Sequence, residues 1–175
     1  GRVKIPFEVV SVLRDGKPEP WFTKSEGDGI TVYAGQKDVL LRPGVYTYTF
    51  VFRTSRQIGF FKDFDELYFN AIGHKWLFTI RQATVTVELP KGTGYLNWTA
   101  YTGAVGSRNR SFDAGRDANG NLTFTTTYPL YPRQGMTISV KFPKGAVTPP
   151  GGMQKFWWFL YDHQAAALIV VGLVV

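Results

Sequence analysis

The chain has 175 residues, of which 44% are hydrophobic and 16% aromatic, so a disordered protein is excluded and one domain with a real core is possible. It contains no cysteine, which excludes disulfides and thiolate metal sites. The formal net charge is +7, but Lys and Arg are scattered with no dense run. We therefore expect a solvated basic surface and no nucleic-acid site.

Apolar and polar residues alternate from the start of the chain, which is typical of half-buried strands. Residues 3–9 follow this pattern, and turn signals at 14–20 and 27–29 end the first predicted strands. The clearest long strand follows the turn at 42–44. One of its faces is aromatic and carries Tyr46, Tyr48, Phe50 and Phe52. We predict that such aromatic faces form the core.

The second half of the chain repeats the alternation. It is found at residues 83–89, 96–100 and 136–142, and the segment "ANGN" at 118–121 is a strong hairpin signal. Each predicted strand has one apolar face, which two sheets packed face to face would bury. The sequence therefore predicts an all-β fold of about nine to eleven strands, an antiparallel β-sandwich of the immunoglobulin-like or a similar two-sheet architecture.

The composition changes sharply near the C-terminus. We predict a β-sandwich domain over residues 1–147, a Pro/Gly linker over 148–155, and a membrane segment over 156–175. The uncharged run 165–175 would cover roughly 16 Å as a helix, against about 30 Å of bilayer core. We expect a transmembrane helix that starts near residue 165 and continues beyond the chain. The alternative is a core element packed on the sandwich.

Three aromatic residues in this C-terminal segment fit the interface between the lipid and water. Amphipathic aromatic rings collect at the level of the lipid headgroups. We predict this position for Trp157, Trp158 and Tyr161.

The segment "DFDELYFNAIGHKW" at 63–76 is the densest polar cluster of the chain. Its candidate binding residues are Asp63, Asp65, Glu66, Asn70 and His74. Calcium requires six to eight oxygen ligands, but bulky side chains crowd this segment. In a strand, alternation would place Asp65 and Glu66 on opposite faces. We interpret the segment as a turn that leads into a strand near Trp76, with a metal or catalytic site as the alternative.

Two other features could bind a ligand. The Gly-rich basic segment 101–111 could hold an anion through its backbone N–H groups, or it could be a flexible loop between strands. It lacks the Lys-Ser/Thr ending of a Walker motif, and the sequence indicates no cofactor. Exposed aromatic residues could form a platform for a sugar or peptide, although most aromatics on alternating faces are core. The platform candidates are Trp21, Tyr33, Trp76, Trp98 and Tyr101.

Six segments resemble, in order and spacing, bacterial membrane proteins grouped as domain of unknown function 2207. They are residues 3–21, 40–61, 65–76, 83–92, 100–107 and 135–147. The resemblance implies an exported β-rich domain followed by transmembrane helices. It also implies a signal sequence and one or two further strands ahead of Gly1. The family has no established activity, so the resemblance transfers no catalytic residue.

These observations lead to one expected function and one alternative. We expect a binding or scaffolding module on the extracytoplasmic side of the bacterial cell membrane, anchored in the lipid bilayer by its C-terminal helix. Its expected partner is an envelope protein or a glycan. The alternative is an envelope hydrolase or metal-dependent enzyme that uses the segment from Asp63 to His74. No reaction can be derived from the sequence.

Overall fold

The computed structural model describes residues 5–26 and 29–163. These residues are mostly β, in multiple antiparallel sheets, with one C-terminal helix. The strands are β1 (Phe7–Arg14), β2 (Lys17–Pro18), β3 (Trp21–Glu26), β4 (Gly29–Ala34), β5 (Tyr48–Thr54), β6 (Ile58–Phe60), β7 (Asp65–Ile72), β8 (Thr84–Val87), β9 (Asn97–Gly103), β10 (Phe112–Arg116), β11 (Leu122–Thr126) and β12 (Gly135–Phe142). The helix is α1 (Gly152–Asp162).

The chain divides into two compact units, residues 1–56 and residues 57–175. The stretch 1–147, which the sequence predicts as one sandwich domain, is therefore divided between the two units at residue 56. We call them the first unit and the second unit.

The first unit contains a three-stranded sheet in the order β2-β1-β5 and the hairpin β3-β4. The first predicted turn is confirmed, and β3 and β4 form the hairpin that the second turn signal predicts. Asp15 and Gly16 join β1 to β2 with φ of 50° and 77°, and Glu26 pairs with Gly29 across the second hairpin. The backbone N–H of Thr47 donates to the Asp15 carboxylate at 2.9 Å, which fixes the first turn.

The predicted aromatic core of the first unit is not buried. Tyr48, Phe50 and Phe52 are 36–42% exposed, although they share one face of β5 as expected. Among the described residues of this unit, Val12 is the one buried apolar side chain, at 2% exposure. Alternation therefore identified the strand correctly but did not decide its burial.

The second unit contains a four-stranded sheet, β6-β7-β12-β9, and a three-stranded sheet, β10-β11-β8. Side chains from both sheets form one core cluster. Its buried members are Ala83, Val87, Ala100, Leu122, Phe124, Leu130, Met136, Ile138 and Val140. The predicted inner face of β12 is confirmed, because its apolar residues from Met136 to Phe142 are all buried. The hairpin predicted at 118–121 joins β10 to β11.

The strand order of the second unit differs from that of an immunoglobulin domain. Numbered within the unit, its two sheets have the orders 1-2-7-4 and 5-6-3. An immunoglobulin constant domain has strands 1-2-5-4 in one sheet and 3-6-7 in the other. The fifth and seventh strands therefore exchange sheets, and the order formed is another two-sheet arrangement.

The helix α1 begins at Gly152, within the predicted linker 148–155, and includes the predicted interface residues Trp157, Trp158 and Tyr161. It has 11 residues, and none of them is buried. In the described part of the chain no helix has the length and apolar character needed to cross a membrane. The transmembrane helix predicted from residue 165 lies outside the described residues.

Candidate functional site

The segment 63–76 is mainly a strand, so its interpretation as a turn was wrong. Residues 65–72 form β7, and the next strand begins at Thr84, not near Trp76. β7 pairs with β12 along its length and with the short strand β6 at residues 65–67, so it lies inside the sheet. Leu67 and Phe69 pack on the core, so every second side chain of β7 points inward.

Asp65 lies on this inner face and is 1% exposed. The ammonium group of Lys144, in the turn after β12, lies 2.6 Å from its carboxylate. The same ammonium group donates to the carbonyl oxygen of Phe61 at 2.8 Å. A buried carboxylate requires such a partner, and this pair fixes the start of β7 to the end of β12. Solvent barely reaches Asp65, so we assign it a structural role.

Glu66 points to the opposite, outer face, as the alternation predicts. Its carboxylate accepts a hydrogen bond of 2.5 Å from the hydroxyl of Ser139 on β12. Asp63 is exposed before β7, and Asn70 is exposed on the outer face, paired in register with Thr137. Within the described ranges, no group of three or more His, Asp or Glu is placed to hold a metal ion. The acids of the segment therefore do not converge on a site.

A cavity of about 650 Å³ lies on the outer face of the four-stranded sheet, near one end of it. It brings together the end of the 63–76 segment and the Gly-rich segment 101–111. Of the five predicted binding residues, His74 lines the cavity. The lining residues are Tyr68, His74, Tyr101, Thr102, Gly103, Ala104, Val105, Gly106, Ser107, Arg108 and Thr137.

Two glycines beside this cavity let neighbouring chain segments approach the sheet closely. Gly103 on β9 and Gly135 on β12 are paired in register, on the rung that follows the pair Tyr101–Thr137 on the same face. A Cβ atom on Gly135 would collide with the carbonyl oxygen of Ile72 and lie 3.2 Å from Cδ2 of His74. Gly103 has a φ of 113°, which strains other residues. The rung therefore carries no side chain, and the chain at Ile72 and the side chain of Ser107 pack closely against it.

Hydrogen bonds hold the Gly-rich loop against the edge of β9. The backbone N–H of Ser107 donates to the carbonyl of Ala104 at 2.9 Å, which closes a turn over Gly106. The N–H of Thr102 donates to the carbonyl of Asn109 at 2.8 Å, so the chain returns along the strand. These bonds fix the loop that forms one wall of the cavity.

The chemistry of the cavity is polar and aromatic. Tyr68 is 57% exposed, and Tyr101 and Thr137 lie on the same face of the sheet. Arg108 lies on the loop and is exposed. The sequence had indicated Tyr101 and the loop but not Tyr68 or Thr137. Alternation could have found both, because each lies on the polar face of its strand.

The other platform candidates are spread over the chain. Trp21 and Tyr33 belong to the first unit, and Trp76 and Trp98 to the second, where neither lines the cavity. All four remain partly exposed. The expectation that most of these aromatics form the core is therefore not met.

Comparison with known proteins gives one result. No curated protein and no solved structure matches the chain. Residues 1–142 match the family model described as "Predicted membrane protein (DUF2207) N-terminal domain", as the sequence resemblance implied. The match covers well over half of the chain, which therefore belongs to this family of predicted membrane proteins of unknown function.

Proposed function

We propose that this protein is a membrane-attached binding module whose second unit is a β-sandwich that presents a ligand site on its outer face. The cavity between Tyr68, Tyr101 and the 103–108 loop carries this proposal. A core shared by two sheets supplies a rigid support, and binding sites work best on rigid elements. The enzyme alternative gains no support, because Asp65 and Glu66 point to opposite faces and each has a partner.

The helix α1 supports attachment to a membrane. Met153, Phe156, Trp157 and Leu160 follow the spacing i, i+3, i+4, i+7 and therefore form one apolar stripe. Met153, Phe156 and Trp157 are 53–70% exposed, so no described part of the protein covers this stripe. Such a helix can lie in the headgroup region with its apolar face toward the acyl chains. The family supports the same conclusion, because its members are predicted membrane proteins.

Membrane attachment can be tested by flotation of the full chain with phosphatidylcholine vesicles. We expect the chain to float with the vesicles and the double variant Phe156→Ser/Trp157→Ser to float less. The matched control is Leu77→Ser/Phe78→Ser, which removes two exposed apolar side chains outside α1. Equal flotation of all three proteins would exclude α1 as the membrane contact, and absence of the wild type from the vesicle fraction would refute attachment.

We place the module on the extracytoplasmic side of the bacterial cell membrane, where an envelope glycan or protein could reach it. The chain has no cysteine, so a single Asn119→Cys substitution at the exposed β10-β11 turn gives a unique label. In intact cells that carry the whole membrane protein to which this chain belongs, a membrane-impermeant maleimide should label the substituted protein more than the wild type. Labelling only after the cells are permeabilised would place the module on the cytoplasmic side.

Ligand binding can be tested with the full chain in nanodiscs on an array of bacterial glycans and envelope peptides. We expect signals that decrease for Tyr101→Ala, since this ring lines the cavity. The control Tyr128→Ala removes an exposed ring from a position that does not line it. A silent array, or an equal loss in both variants, would contradict a binding role for this cavity.

A further inference from the structure

We propose that the cavity on the outer face of the second unit binds an acidic saccharide, with a sugar ring against the tyrosines and its anionic group on Arg108. This inference rests on the proposed function as a binding module and names the ligand class. Three properties of the lining carry it: its charge, the spacing of its aromatic rings and its lack of an apolar groove.

The lining of the cavity contains a positively charged residue and no acidic residue to neutralise it. Arg108 is exposed there, and no Asp or Glu belongs to the lining. Among the described residues, the Arg108 guanidinium has neither a hydrogen bond nor an ion pair. The neighbouring Arg110 is held by the Thr99 hydroxyl, at 2.6 and 3.0 Å from two of its nitrogens. A carboxylate or phosphate would give Arg108 the bidentate partner that its planar fork fits.

The sheet spaces two aromatic rings for a chain of sugars. Tyr68 lies on β7 and Tyr101 on β9, with β12 between them and an offset of two residues along the strands. Strand spacing and rise then separate their Cα atoms by about 12 Å, which is the scale of two linked sugar rings. The C–H faces of sugars pack on aromatic rings, and the Thr137 hydroxyl between the two strands can bond to sugar hydroxyls.

The lining does not favour a lipid with acyl chains. Its apolar side chains other than the tyrosines are Ala104 and Val105, both at the exposed tip of the loop. They form no groove in which a hydrocarbon chain could be buried. A phospholipid headgroup shares the anionic chemistry, so the experiment must separate the two sources.

The test uses the full chain in phosphatidylcholine nanodiscs, with oligogalacturonate as the acidic probe and a dextran oligomer of equal length as the neutral one. Biolayer interferometry should show that oligogalacturonate binds more tightly than dextran. Added salt should weaken the binding of oligogalacturonate, because salt screens charge pairs that are exposed to solvent. Loss of a charge-assisted hydrogen bond in Arg108→Gln should weaken this binding about tenfold. Tyr68→Ala should weaken the binding of both probes.

Matched controls are Arg81→Gln and Tyr128→Ala, which change exposed residues that do not line the cavity. They should leave binding unchanged, and circular dichroism should show that all variants are folded. Equal losses in Arg81→Gln and Arg108→Gln would overturn the assignment, as would equal affinity for both probes. Displacement of oligogalacturonate by phosphatidylglycerol in the nanodisc would assign the site to a lipid headgroup instead.

Absence of binding to either probe would overturn the acidic-saccharide inference. The proposal of a binding module would then depend on the glycan and peptide array, which includes neutral and peptide ligands. The two proposals can therefore fail separately.

Discussion

The second unit buries a continuous core, whereas the first unit, built from strands with the same alternating pattern, buries one apolar side chain among its described residues. β12 in the second unit and β5 in the first both carry four or more apolar residues. The apolar residues of β12 from Met136 to Phe142 are buried, while Phe50 and Phe52 of β5 remain partly exposed.

The difference shows that the partner sheet, and not the pattern, decides burial. β12 lies between β7 and β9 in a sheet whose inner face meets a second sheet across one core cluster. β5 pairs with β1 at the edge of a three-stranded sheet. A small sheet removes little apolar area from water, so its aromatic face contributes less to stability.

Truncation of one phenylalanine in each unit should give the largest contrast. Phe124→Ala in the second unit removes a fully buried ring and should lower the free energy of unfolding by about 3–5 kcal/mol. Phe50→Ala in the first unit should cost roughly 1–2 kcal/mol, because water already contacts much of that ring. Urea denaturation of both variants measures the contrast. Equal losses would show that Phe50 is buried in solution.

The ion pair of Lys144 with Asp65 should respond asymmetrically to substitution. Lys144→Ala leaves a buried carboxylate without a partner and should cost about 2–3 kcal/mol, less than a fully buried pair because the Lys144 side chain is 42% exposed. Asp65→Asn leaves an ammonium group that water can solvate, so it should cost less. Thermal melts of the two variants test the order. A reversed order would refute the structural role of the pair.

Gly135→Ala should cost about 1–3 kcal/mol, since the added methyl group collides with the backbone at Ile72 and presses on His74. The control Gly94→Ala adds the same group where nothing lies within 4 Å, and should be neutral or slightly stabilising. Chemical denaturation measures the loss of stability, and the proton resonances of the His74 ring show whether the added methyl group displaces that ring. An unperturbed Gly135→Ala variant would contradict the close approach of the Ile72 backbone to β12.

The smallest expected effect is the loss of stability at low pH that comes from Asp117, in the turn between β10 and β11 of the second unit. Hydrogen bonds, first from the Asn121 backbone and then from the Asn121 side chain, lower the pKa of Asp117 below its ordinary value. A lowered pKa means that the charged carboxylate stabilises the folded state above the ordinary aspartate pKa of about 3.9. This stability is lost as the pH falls through the lower pKa of the folded state.

Melting temperatures between pH 7 and pH 2 test this turn. Asp117→Ala should melt slightly below the wild type at pH 7, and the difference should shrink at the acid end. Asp113→Ala, which changes an exposed acid on the neighbouring strand, is the control. A difference that stays constant with pH would contradict a role for the Asp117 charge.

Local patterns in the sequence predicted much of the strand content. The alternation at 83–89 and 136–142 and the turn signals at 27–29 and 118–121 depend on neighbouring residues, and each led to the right element. The opposite orientation of Asp65 and Glu66 follows from the same period of two. The segment 63–76 was misread as a turn because its polar residues hid a strand that is central in its sheet.

The sequence by itself determined the β class, the family, the main hairpins and the faces of the individual strands, because these depend on spacing along the chain. Only the tertiary structure decided that β12 is buried and β5 is not, that Lys144 pairs with Asp65, and that His74 and the 103–108 loop line one cavity. Each of these results joins residues far apart in the chain. No local pattern encodes such contacts, because they depend on which sheet packs on which and in what register.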